Sequence, residues 1–220
     1  MKKGDFIWAG VLLLIIVFLA IDSGRQMYIE FTGRHPYFSG FLKYMVLASM
    51  GELLSIRLKR KYWSKSTGFY IKAVIWGCIG ILITFVFKFY SEGAKALQLA
   101  GLLAGNGKIV STAIFTSVIM NLTFGIALFI SHRITDEIID YRFDNSRFNK
   151  VSIMIEKVDW PVYLLFIFKM IVFFWIPVHA AVFLLPEVYR VMTAAFLSIA
   201  LGILLSLGSC NQRIGDILHD

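Results

Sequence analysis

The chain has 220 residues, of which 58% are hydrophobic and only 16% are charged, whereas soluble domains average about 45–50% apolar and about 25% charged. Its net charge of +8, from 22 Lys and Arg against 14 Asp and Glu, would admit nucleic acid as a partner, but the basic residues lie beside long apolar segments and form no patch of their own. The composition leaves almost nothing for a soluble catalytic domain and makes the lipid bilayer the chain's principal partner.

A helix crosses the hydrocarbon core with about 20 mostly apolar residues, because lipid offers no partner to backbone N–H and C=O groups. Six segments come near that length: 6–21, 38–56, 69–90, 111–131, 160–179 and 186–207. None alternates at period two, which argues against a barrel. The expected fold is all-α, a polytopic transmembrane bundle of about six spans forming one integral membrane domain over 1–220. With the N-terminus inside, thirteen Lys and Arg fall in cytoplasmic segments and four outside, at Arg25, Arg34, Lys95 and Lys108. The positive-inside rule then places both termini in the cytoplasm of a cell-membrane protein.

Segment 6–21, behind Met1-Lys2-Lys3, fits a retained anchor and also the apolar region of a signal peptide. The exit through Leu19-Ala20-Ile21-Asp22 has no clean small-x-small cleavage site and favours the anchor. Five spans remain if it is cleaved or peripheral. Segment 38–56 contains Lys43 and Glu52. A charge at a helix centre costs about 2.5–3.5 kcal/mol unless it pairs or reaches the interface. Lys43, Lys72 and Lys88 lie close enough to span ends for their stems to carry the ammonium outward. Glu52 has no such stem, so it is expected to face the bundle interior or to pair with Arg57 or Lys59.

In segment 69–90, Ala73, Gly77, Gly80 and Thr84 line one helix face and would let a neighbouring backbone approach closely. Residues 94–104 are too short and interrupted to span and read as an outer-surface or interfacial helix closed by Gly105-Asn106-Gly107, or as a re-entrant piece. Segment 111–131 carries Ser117, Asn121 and Gly125 on one face, a stripe that serves as interhelical hydrogen-bond glue or as the wall of a solute path. The loop 132–159 has apolar residues at near-helical spacing, Ile134, Ile138 and Tyr141, then Val151, Met154, Ile155 and Val158, and is expected to form two short amphipathic helices split near Asp144-Asn145-Ser146. In segment 160–179, Lys169 falls near mid-span and is expected to face the interior, with Glu52 as its partner. Segment 186–207 opens on Pro186-Glu187, and Arg190 one turn on is expected to pair with Glu187.

No catalytic or metal constellation emerges. His35, His132, His179 and His219 are isolated from one another, no Gly-x-Ser-x-Gly elbow exists, and Gly101 to Lys108 lacks the Lys-Ser/Thr step of a phosphate loop. Cys78 and Cys210 lie at different depths and are read as reduced thiols. No cofactor, metal or enzymatic activity is expected.

The C-terminal third carries Trp175-Ile176-Pro177, then Phe183-Leu184-Leu185-Pro186, Arg190 and the closing Leu205-Ser206. Upstream stand His35-Pro36, Gly51-Glu52, Gly77 and Phe89-Tyr90. Over 35–206 this pattern resembles the family of the 22-kilodalton peroxisomal membrane protein and the mitochondrial inner-membrane protein Mpv-seventeen, with 6–21 as an extra span. The resemblance implies a small helical membrane protein forming a weakly selective pore for small solutes. It carries Glu52, Pro186 and Arg190 onto the family's motif, and it implies no catalytic residues.

The function expected is a small-solute channel or transport protein, with Glu52, Lys169, Asn121 and Ser117 as pore or cavity candidates and Trp175, Pro177, Pro186 and Arg190 as structural motif. A solute-binding membrane subunit of a larger transporter fits the same features, with a homo-oligomer or partner subunits. An intramembrane lipid-modifying enzyme fits them less well, because no polar cluster is evident at a membrane face.

Overall fold

The computed structural model describes residues 2–143, 156 and 158–218, with side chains as far as Ile203. Among the described residues seven helices are formed: α1 Lys3–Ala20, α2 Asp22–Arg34, α3 Pro36–Arg60, α4 Phe69–Leu99, α5 Ile109–Phe143, α6 Trp160–Phe183 and α7 Glu187–Leu218. No strand occurs among the described residues. Helices α1, α4, α5 and α6 are each long and apolar enough to cross a membrane. Segment 38–56 lies within α3, and segment 186–207 falls in α7 apart from Pro186, which precedes it.

Local chemistry sets most boundaries. Pro36 occupies the first turn of α3, where its missing N–H costs nothing, and Lys61 closes that helix in the left-handed region at φ 63°. The Asp159 carboxylate caps α6 by accepting from the Val162 amide at 3.2 Å.

Two boundaries differ from expectation, and residues 22–34, which connect the first two expected spans, form a helix of their own, α2, which buries Tyr28. Residues 94–99 are not a separate surface helix. They continue α4 to 31 residues, about 46 Å at 1.5 Å per residue, so its last turns project beyond a core of about 30 Å. The only helix-weakening residue near that junction is Gly93, which a helix tolerates. The first amphipathic helix of the loop is likewise an extension of α5, since no breaker interrupts 132–143. The expected split and most of the second amphipathic helix lie outside the described residues.

The chain divides into two compact units that interleave in sequence. The first comprises residues 1–66, 73–82 and 195–220, with Tyr44, Leu47, Ala48, Met50 and Ile79 in its core. Here the glycines of the small-residue stripe act as expected. A Cβ on Gly77 would strike the Phe41 ring, and one on Gly80 would strike the Gly40 carbonyl and the Tyr44 Cβ, so α4 crosses α3 at backbone distance. Gly51 and Gly202 form a second close crossing, of α3 with α7, in which each faces backbone atoms of the other helix. Helix α1 buries no side chain, yet its N-terminal end is tied down. Asp5 accepts from Arg57 at 2.9 and 3.2 Å and from the Trp63 indole at 2.7 Å, and the Trp8 indole donates to the Met50 carbonyl at 3.0 Å.

The second unit comprises residues 67–72 and 83–194. In it α5 and α6 run antiparallel along their lengths: 109–120 packs on 176–183, 121–125 on 171–175, and 126–143 on 160–170. Both helices widen to a π-turn at the same level, at Asn121–Gly125 and Ile171–Trp175.

Two of the three lysines near span ends are buried against neighbouring helices. Lys43 lies 3.3 Å from the Thr32 hydroxyl and 4.7 Å from the centre of the Tyr28 ring. Lys72 pairs with Asp140 at 2.8 Å and Asp136 at 3.8 Å on the extension of α5. Lys88 is exposed and pairs with Glu187 at 2.9 Å and Glu92 at 3.2 Å. The Asp136 and Asp140 carboxylates offset the desolvation of the Lys72 ammonium, and a hydroxyl and the face of an aromatic ring do so for Lys43.

A buried polar candidate site between two π-turns

Pro177 has no N–H to give to the carbonyl four residues back, and its ring crowds that carbonyl, so the turn before it widens. Residues 171–175 are that turn. On α5 the widening has a different cause, side chains that compete for backbone carbonyls. The Asn121 amide donates to the Ser117 carbonyl at 2.8 Å, and the Thr123 hydroxyl donates to the Ile119 carbonyl at 2.6 Å. The two π-turns face each other, a feature often found at functional sites in helices.

Ser117, Asn121 and His179 meet beside these turns. Ser117 Oγ donates across the helix pair to the Ile176 carbonyl at 2.7 Å and accepts from Asn121 Nδ2 at 3.3 Å. Because the Ser117 carbonyl can only accept, Asn121 must present Nδ2 to it, and Oδ1 then faces His179 Nδ1 at 3.1 Å. Oδ1 also only accepts, so Nδ1 of His179 carries a proton and donates it. In the neutral imidazole, Nε2 is left with a free lone pair, and among the described residues no partner takes it.

The ring is held on two sides, by Trp175 stacked at 5.0 Å between centroids and by the edge of Phe87 at 5.6 Å. Thr116 and Ser117 are fully buried, Asn121 and His179 nearly so. The Thr116 hydroxyl and the Trp175 indole N–H are buried without a hydrogen-bond partner. Unpaired groups of this kind are costly in an apolar surround unless water or a solute reaches them. The cluster holds donors and acceptors and no acidic or permanently charged side chain. Among the described residues no group of three or more His, Cys, Asp and Glu is placed to hold a metal ion.

Of the pore candidates, Ser117 and Asn121 are brought together, while Glu52 is half-buried in the first unit. Lys169 is exposed on α6 and makes no ion pair or hydrogen bond among the described residues. The expectation that it faces the interior and pairs with Glu52 is corrected: Ile167 and Ile171 occupy the buried face of α6, and Lys169 falls on the opposite one. The motif residues also find other partners than expected. Glu187 pairs with Lys88, not with Arg190, whose Nε donates to the Leu185 carbonyl at 2.9 Å and Nη1 to Ser91 Oγ at 3.2 Å, with the guanidinium 5.6 Å from the Phe183 ring. Arg190 thereby satisfies a carbonyl left open between α6 and α7, where Pro186 precedes the first turn of α7.

His179 and Thr116 were not among the sequence candidates. The sequence segments did not place His179 there: counted from the expected loop 132–159, Asn121 lies 11 residues before it and His179 20 residues after it, and the two come level only because α5 continues to Phe143.

Compared with protein-family models, curated proteins and solved structures, the chain matches none.

Proposed function

We propose that this chain is a multi-pass protein of the cell membrane, with six spans and both termini in the cytoplasm, whose α5–α6 pair binds and passes small uncharged polar solutes with weak selectivity. The observation that carries the reading is the buried Ser117–Asn121–His179 cluster, set between helices apolar enough to cross a membrane and bordered by the unpaired Thr116 and Trp175 groups. A path for ions needs fixed charge or a ring of carbonyls to replace the hydration shell. This cluster offers single donors and acceptors instead, which suit hydroxyl and amide groups. The resemblance over 35–206 to a family of weakly selective pores supports the same reading.

The test is solute flux. Protein reconstituted in liposomes should relax faster than protein-free vesicles after a glycerol or urea gradient is imposed, with no matching increase for potassium. Equal relaxation with and without protein sinks the proposal. Orientation is checked separately in a variant whose Cys78 and Cys210 are replaced by Ser. Single cysteines at Gly33 and Leu102 should react with an impermeant thiol reagent on intact cells, and one at Lys65 should not. The reverse pattern would overturn the assignment of both termini to the cytoplasm.

A further inference from the structure

Helix α6 turns a stripe of side chains outward: Val162, Phe166, Lys169 and Phe173, with Phe173 81% exposed. Their spacings of four, three and four are those of one helix face. Three of the four suit lipid tails, and Lys169 does not. The capping carboxylate of Asp159 and the Trp160 ring mark the cytoplasmic boundary of this helix. Lys169 follows Trp160 by nine residues, which is about 14 Å along the axis. A lysine stem leaning back toward the helix N-terminus recovers roughly 6 Å, so the ammonium stops well inside the hydrocarbon and short of any lipid headgroup.

We propose that this face of α6 docks a transmembrane helix of another protein that carries a carboxylate at mid-membrane depth, opposite Lys169. The unmatched ammonium argues for the carboxylate, and Val162, Phe166 and Phe173 supply the apolar contact on either side of it. A second copy of this chain does not fit the face. Among the described residues the exposed carboxylates Asp22, Glu30, Glu92 and Glu187 lie at or near helix ends, and Glu156 and Asp159 lie before α6; a two-fold axis along the membrane normal would set each Lys169 at the depth of its own copy. Anionic lipid does not fit either, since its charge sits at the interface. The inference is independent of solute passage through the Ser117–Asn121–His179 cluster.

The probe is a fluorescent membrane-spanning polyleucine peptide with a single central Glu, compared with peptides bearing Gln or Leu at that position. Each is reconstituted with the full-length protein, fluorescent at its C-terminus, in phosphatidylcholine vesicles, and association is read as energy transfer. The Glu peptide should associate about tenfold more strongly than the Leu peptide. Lys169→Met should abolish that advantage, and Lys169→Arg should keep it. Equal transfer for all three peptides overturns the proposal, as does an unchanged Glu advantage in Lys169→Met. It is also overturned if phosphatidylglycerol competes the peptide away, if Lys169 drives energy transfer between two copies of the protein, or if Lys169→Met fails to fold, because an outward-facing side chain is not needed for packing.

Discussion

Replacing Asn121 by Leu should abolish the solute flux of reconstituted protein and also lower its stability. Asn121 holds three groups at once: it donates to the Ser117 carbonyl and hydroxyl and accepts from His179 Nδ1. Leucine fills similar space and makes none of these bonds, leaving His179 with a buried donor that has lost its partner. Stranding such a group costs about 1–3 kcal/mol, whereas interhelical hydrogen bonds within membranes average nearer 0.6 kcal/mol. A drop in melting temperature is therefore expected with either role of the cluster, and flux decides between them. Asn121→Leu with lower stability and wild-type flux would make the cluster interhelical glue and remove the basis for solute passage. A double-mutant cycle with His179→Phe should show coupling, because both substitutions cut the same bond.

Gly80→Ala should destabilise the protein by about 1–3 kcal/mol, and Gly80→Leu should reduce folded yield severely. The added carbon meets the Gly40 carbonyl and the Tyr44 Cβ, and neither can swing aside by changing a rotamer. The helices must separate, and the van der Waals contact that drives association in lipid is lost along the crossing. Gly93, on the same helix, has nothing within 4 Å of the position a Cβ would take. Gly93→Ala should therefore be neutral or stabilise by up to about 1 kcal/mol, through helix propensity alone. Thermal unfolding in detergent of the two alanine variants reads the contrast directly. Equal effects would mean that the α3–α4 crossing is looser than the geometry of Gly40 and Gly80 requires.

Both predictions start from residues that were visible in the sequence, and their histories differ. The Ala73–Gly77–Gly80 spacing declares its role locally, because glycines on one face of an apolar helix have little use except close approach. The Ser117–Asn121 stripe is legible as far as its face, but not its partner. The residue that completes it, His179, is 58 positions away, and no local pattern marks it. Pro177 is an intermediate case: its effect on the preceding turn follows from covalent structure, but the π-turn of α5 opposite it depends on which carbonyls Asn121 and Thr123 reach.

The amino-acid sequence alone determined the helical class, the apolar segments and the glycine face of α4, because each follows from hydrogen bonding in lipid, helix periodicity and steric bulk. The partners of the charged residues were decided only by tertiary structure. Lys43 and Lys72 are buried because Thr32 and Tyr28, and Asp136 and Asp140, come within reach on neighbouring helices. Lys169 faces outward because Ile167 and Ile171 hold the inner face of α6. Asp5 finds Arg57 and Trp63 across more than fifty residues. The depth of a charge along a span can be counted from its own segment, but its direction depends on which face of the helix the other helices cover. That depends on the packing of the whole chain, and the periodicity of one segment does not contain it.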